Sequence, residues 1–484
     1  MTKKIFLLLF SVLLSTCDYT DNKNSELNVD FEKIELDNGL DVIFHIDKSD
    51  PVVAVELMVH VGSAREIEGR TGFAHLFEHL LFLESENLGK GGLDKMSARI
   101  GGSGANGSTS PDRTNYLQTV PKDALEKMIW AESDKLGWFI NTVTKPVLEK
   151  EKQVVKNEKR QSVDNRPYGH NQYLIDKSLY PKDHPYNWQV IGSLEDLQNA
   201  TLEDVKTFFK KWYVPNNATL VLSGDLDVNQ AKEWVHKYFD EIPRGEEIIP
   251  LEKRSGNLEK IKHLYFEDNF AKVPQLTMVW PSVERYHPDS YALEVLSQYL
   301  TQGKSAPLNM VLIDELKITS YTSMYNYSNE LAGSIQLSIR AFNDVNLDQV
   351  KDGIIRAFEK FENEGFSEKD LNRIKAGQET DFYRSLSSVI GKGTNLASYN
   401  TYTGNPGYIS EDIKNTLAVN TEDVMFVYNK YIKNKNYIAT SFVPKNSKEL
   451  ALKNSELAIV VDEKIITGAE LNFDSKTLSK YSKT

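Results

Sequence analysis

Cysteine is nearly missing. Cys17 stands alone in 484 residues, so no intramolecular disulfide can form. Blocks of positive charge are missing too. The 57 Lys and Arg are dispersed among 69 Asp and Glu, for a net charge of −12. Binding nucleic acid needs clustered cations to neutralise phosphates, so that class is excluded. Long apolar runs are also absent. Ile5 to Leu14, interrupted by Ser11, is well short of the roughly 20 residues that span a bilayer. It follows Lys3 and Lys4 and precedes Leu14-Ser15-Thr16-Cys17, which reads as a lipobox at the end of a signal peptide. Residues 1–17 are therefore expected to be a signal peptide ending at a lipidated Cys17, and residues 18–29 a polar tether. The expected location is the bacterial periplasm or cell envelope, with the lipid anchor as the only membrane contact.

The remaining composition is ordinary, with 40% hydrophobic and 26% charged residues, which excludes global disorder and coiled coil. Lys33 to Asp47 reads as a hairpin turning at Asn38-Gly39. Val52 to Val61 is β-rich, Gly72 to Leu83 an almost wholly apolar helix. Asp123 to Phe139, Pro146 to Ser162, Leu202 to Tyr213 and Val228 to Phe239 read as further helices, and Ala218 to Ser223 as a strand. Pro243 to Gly256 is polar and bracketed by Pro and Gly, as a linker would be. Beyond it the pattern repeats: Val273 to Trp280 resembles the strand at Val52, Asp289 to Leu300 the helix at Gly72, and Asn436 to Phe442 the strand at Asn217. Two related α+β halves are predicted, residues 30–242 and 263–484, joined by 243–262.

The chemistry concentrates in His75-Leu76-Phe77-Glu78-His79. On a helix the two imidazoles stand one turn apart on one face, the spacing for a shared metal ion. Glu78 reaches a metal-bound water without being a ligand, the inverted form of the zinc-protease helix. Catalytic zinc takes three protein ligands, so a third is required. The helix from Pro146 offers it. Glu151 and Glu158 fall on its apolar stripe of Val147, Leu148, Val154 and Val155, while Lys150, Lys152, Lys156, Lys159 and Arg160 largely occupy the wet side. Carboxylates on an apolar face demand a partner. Glu158 is assigned as ligand and Glu151 as the residue supporting a ligand from behind.

With these residues the chain resembles the insulinase/pitrilysin-like zinc peptidases, the inverzincins. Further phrases carry the resemblance: Gly101 to Thr109, Glu151 to Glu158, His184 to Gly192 and Tyr213 to Asn217. The resemblance implies two homologous halves, each a mainly antiparallel sheet packed with helices. It also implies one zinc ion per chain on His75, His79 and Glu158, and peptide hydrolysis with Glu78 as general base. Asn106 would hold substrate on an edge strand that pairs with peptide backbone. Substrates would be peptides or unfolded segments. Active members draw an Arg and a Tyr from a second-half domain; here Ile313 and Ser320 stand in their places, with Tyr321 one position off. In this the chain resembles the zinc-bearing subunit of two-subunit members, whose partner lacks zinc and supplies Arg and Tyr. A self-sufficient homodimeric peptidase and a catalytically silent zinc-binding scaffold are the alternatives.

Overall fold

In a computed structural model, which describes residues 29–103 and 105–460, the chain forms two six-stranded sheets. The expected signal peptide, Cys17 and all of the tether before Val29 lie outside the described residues. The first half runs β1 (Glu32–Glu35), β2 (Asp41–Ile46), β3 (Val52–Val59), α1 (Phe73–Leu83), α2 (Gly92–Ile100), β4 (Asn106–Thr109), β5 (Thr114–Pro121), α3 (Leu125–Trp138), α4 (Lys145–Lys159), α5 (Asn171–Leu179), α6 (Leu194–Asn199), α7 (Leu202–Trp212), β6 (Ala218–Gly224) and α8 (Val228–Phe239). The second runs β7 (Lys262–Asp268), β8 (Gln275–Ser282), α9 (Pro288–Thr301), α10 (Pro307–Asn309), β9 (Thr319–Ser328), β10 (Gly333–Ala341), α11 (Leu347–Glu364), α12 (Glu368–Ser385), α13 (Val389–Thr403), α14 (Tyr408–Ala418), α15 (Thr421–Tyr431), β11 (Ile438–Pro444) and β12 (Glu456–Leu457).

The strand orders are β1-β2-β6-β3-β5-β4 and β12-β7-β11-β8-β10-β9. Five positions correspond one to one, and in each sheet the second and third strands pair in parallel. The repeat seen in the sequence is thus a repeat of topology, in an α+β fold of two mainly antiparallel sheets. β4 and β9 end corresponding edges of the two sheets.

On one face of the first sheet, Phe77, Leu80, Met128, Phe209 and Val235 from its own helices pack on Val55 and Leu57. The other face is covered by α13 from the second half, where Leu396, Ala397 and Tyr399 meet Ile43, Met58 and Val221. The second sheet is covered reciprocally. Ile175 and Leu179 of α5 lie on Val279 and Ile438. A strand covered on both faces loses its alternation, which is why β3 reads as an apolar run broken only by Glu56. One asparagine fixes each lent helix. Asn171 donates to Thr277 and accepts from Thr440, while Asn400 donates to Asp41 and Thr219. A further clasp joins the halves where Glu330 accepts from Arg65 and pairs with His60 at 2.8 Å. Among the described residues no helix is long and apolar enough to cross a membrane.

Candidate metal centre and the strand beside it

The entry to α1 is built from backbone contacts. Gly72, with φ of 88°, caps the helix in the left-handed region. The buried Glu66 carboxylate accepts from the N–H groups of Gly72 at 2.9 Å and Ala74 at 2.8 Å. Burial pushes the Glu66 carboxyl well above the usual range, against the pull of those amides. Gly192, φ 73°, presses on this cap: a Cβ there would stand 2.5 Å from the Gly72 Cα. Phe73, Ala74, Leu76, Phe77, Leu80 and Leu81 are then buried. Phe77 stacks on Phe208 at 5.5 Å. The one polar side of α1, carrying His75, Glu78 and His79, is left half-buried.

α4 packs beside α1 and brings two carboxylates to this side. His79 Nε2 lies 3.1 Å from Glu158 Oε2, and His75 Nε2 lies 3.7 Å from the same oxygen. The three donors fall within 4.8 Å of one another, and among the described residues they are the one such group able to hold a metal ion. Tetrahedral zinc with bonds of about 2.0–2.2 Å sets its ligand atoms roughly 3.3–3.6 Å apart. The two separations to the Glu158 oxygen bracket that size, so the donor set is compatible with zinc. On its far side, His79 Nδ1 is 3.1 Å from Glu151 Oε1, and Glu151 is only 4% exposed. With Nδ1–H donating to a carboxylate, the neutral ring keeps its lone pair on Nε2, toward His75 and Glu158. The hydrogen bond to Glu151 also holds the His79 pKa above its ordinary value, against burial, so a metal ion at Nε2 would have to displace a proton there. Burial, then the neighbouring His79, brings His75 down to about 4, which leaves its ring neutral and able to ligate. His75 Nδ1 is buried without a hydrogen-bond partner.

The outer surface of α4 differs from the sequence expectation. Lys152 and Lys156 are 1% and 2% exposed, and Lys159 is also buried, whereas Val154 is 40% exposed. The cause is α6, which packs along that side. Lys152 donates to Glu149 and to the Gln198 carbonyl, and Lys156 to the Gln198 side chain. Lysine stems pack as apolar surface while their ammonium groups find oxygens.

β4 runs beside α1 as the edge of the first sheet. Asn106, exposed at its start, accepts from the Gly107 N–H through Oδ1. Thr109, at the strand's end, donates through Oγ1 to Glu78 Oε2 at 2.6 Å. Glu66, Gly192 and Thr109 were not given individual roles from the sequence; Gly192 and Thr109 had a local signal, inside the phrases from His184 and from Gly101, whereas Glu66 acts through the N–H groups of Gly72 and Ala74 just ahead of it. In the second half, Ile313 lies in a π-helical turn, Met310–Glu315. Ser320 and Tyr321 are exposed at the start of β9, Tyr321 at 61%.

A repeated two-sheet α+β fold, with three side chains on adjacent helices that could hold a metal ion, is compatible with the metallopeptidase class. Residues 41–180 match the family described as insulinase (peptidase family M16), and residues 199–378 match the peptidase M16 inactive domain. Zinc protease PqqE of Helicobacter pylori is 29% identical over 433 residues, spanning 88% of this chain and 95% of the relative. The mitochondrial-processing peptidase subunit beta of Saccharomyces cerevisiae is 21% identical over 416 residues, 83% of this chain and 88% of the relative. The crystal structure of a protease from Helicobacter pylori superposes with a TM-score of 0.79 at 26% identity, covering 86% of this chain and 99% of that one. The chain belongs to the insulinase family, peptidase family M16.

Proposed function

We propose that this chain is the zinc-bearing subunit of an exported endopeptidase acting on peptides or unfolded polypeptide segments. The observation that carries the reading is the convergence of His75, His79 and Glu158 within 4.8 Å, with Glu78 on the same side of α1. The two His Nε2 atoms and a Glu158 oxygen would hold one zinc ion per chain, with Glu151 orienting His79 from behind. Zinc, when bound, supplies Lewis-acid polarisation of the scissile carbonyl and lowers the pKa of a water toward about 7. Glu78 takes the proton of the attacking water at Oε1, the oxygen Thr109 does not hold, and delivers it to the leaving amine. The free edge of β4 aligns the peptide through backbone hydrogen bonds, and the Asn106 amide donates to a peptide carbonyl.

The second half carries no Arg at position 313 and no Tyr at position 320, and its match to a domain described as inactive agrees with a supporting role. A homologous subunit without zinc supplies the Arg and Tyr that bind and polarise substrate. The division into 30–242, a linker at 243–262 and 263–484 is retained with one amendment: α5 and α13 each serve the opposite half. Export rests on residues 1–17 and membrane attachment on a lipid at Cys17. Metal removal tests the enzymatic reading. A chelator should abolish cleavage of a quenched peptide by the assembled enzyme, and about one equivalent of zinc per chain should restore it. Cleavage that persists in metal-free protein would overturn the reading.

A further inference from the structure

We propose that Thr109 is a positioning residue for Glu78 and ties the general base to the strand on which the peptide lies. The inference rests on the reading of Glu78 as base. The Thr109 Oγ1 to Glu78 Oε2 distance, 2.6 Å, is that of a charge-assisted hydrogen bond. Thr109 is well placed to hold its partner. Its β-branched side chain is stiff at χ1, and its strand end is braced three ways. Thr109 pairs with Thr114, whose Oγ1 donates to the buried Val61 carbonyl at 2.8 Å. Just beyond, the Ser110 N–H donates to the Arg113 carbonyl at 2.9 Å. The Arg113 guanidinium in turn donates to the Ser108 carbonyl at 2.6 Å. Glu78, with three rotatable side-chain bonds on a half-buried helix face, gains its orientation from this fixed point. With Oε2 engaged, Oε1 is the oxygen left to move the proton.

The test compares Thr109→Val, Thr109→Ala and Thr109→Ser in the full chain assembled with its homologous subunit. The kcat and KM for a quenched peptide, bound zinc and melting temperature are read for each. Thr109→Val, isosteric but without the hydroxyl, should lower kcat roughly 10-fold or more, with KM within about twofold and zinc retained. Thr109→Ser should recover most of the loss. In a Glu78→Gln background, Thr109→Val should add nothing. Crystals of zinc-loaded Thr109→Val, or of Thr109→Ala if the valine variant does not fold, should show Glu78 turned away from its parental rotamer. A parental kcat without the hydroxyl, an effect confined to KM, a serine variant as impaired as valine, or an unmoved Glu78 would each overturn the proposal. Near-parental cleavage by Glu78→Gln would instead sink the assignment of the base.

Discussion

At the scale of single residues the account turns on two glutamates of one helix doing different work. Glu158 offers an oxygen 3.1 Å from His79 Nε2, and Glu151 accepts on the opposite side of the same ring. Replacing Glu158 by Gln removes the charge and, on the proposed assignment, a metal bond. Replacing Glu151 removes an orienting hydrogen bond, an effect usually of about 10–100-fold in metal affinity or activity. Metal retained after dialysis against a mild chelator should therefore fall further in Glu158→Gln than in Glu151→Gln. Equal retention, or the opposite order, would mean that the ligand is misassigned. That both carboxylates would meet partners was legible from the helix face they share, although only Glu151 is buried there and Glu158 is more open. The burial of Lys152 and Lys156 was not, because nothing local to α4 announces that α6 will cover them.

At the scale of elements, the placement of the histidines depends on how α1 begins. Gly72 and Gly192 approach so closely that a side chain on Gly192 must displace the helix cap, and its φ of 73° strains any other residue. The backbone term alone costs an alanine about 1–2 kcal/mol. Gly192→Ala is expected to lower the melting temperature and to weaken zinc binding together, because the cap carries His75 with it. A variant less stable but with parental zinc affinity would show that the cap does not position the site. Most elements of the first half were legible from apolar periodicity and from the turn at Asn38-Gly39; of the second half only β8, α9 and β11 were, through their likeness to the first, and β9, β10 and α11 to α15 went unread. The crossing of α5 and α13 to opposite sheets was not, because an amphipathic helix does not state which sheet its apolar face meets.

The whole molecule is two repeated halves, each closing the other. At their seam the Glu56 carboxyl is held by Asn115 and Thr394, yet burial outweighs those bonds and raises its pKa. Below the unfolded pKa, near 4.5, both states are protonated and Glu56 adds no pH dependence. As pH rises from there toward the raised folded value, the unfolded chain loses its proton while the native state keeps it, so stability falls across that window and levels off above it. Glu56→Gln keeps the shape, and the Thr394 hydroxyl turns to accept. Its melting temperature should match or trail the parent near pH 4.5 and overtake it progressively toward neutrality, as read by calorimetry across that range. A gain largest in acid would contradict the assignment. The missing Arg and Tyr also act at this scale. Without such donors to the developing oxyanion a site loses roughly 100–1000-fold in rate. The lone chain should therefore bind zinc but cleave a peptide library poorly, and a homologous subunit bearing Arg and Tyr should restore turnover. Efficient cleavage by the lone chain, lost on Tyr321→Phe, would point to a homodimer. The most direct measurement of the central claim assembles the two subunits with Glu78→Gln in this chain and reads bound zinc and peptide cleavage on the same sample. The account predicts parental zinc and a loss of at least about 100-fold in kcat; parental zinc with near-parental cleavage would contradict it.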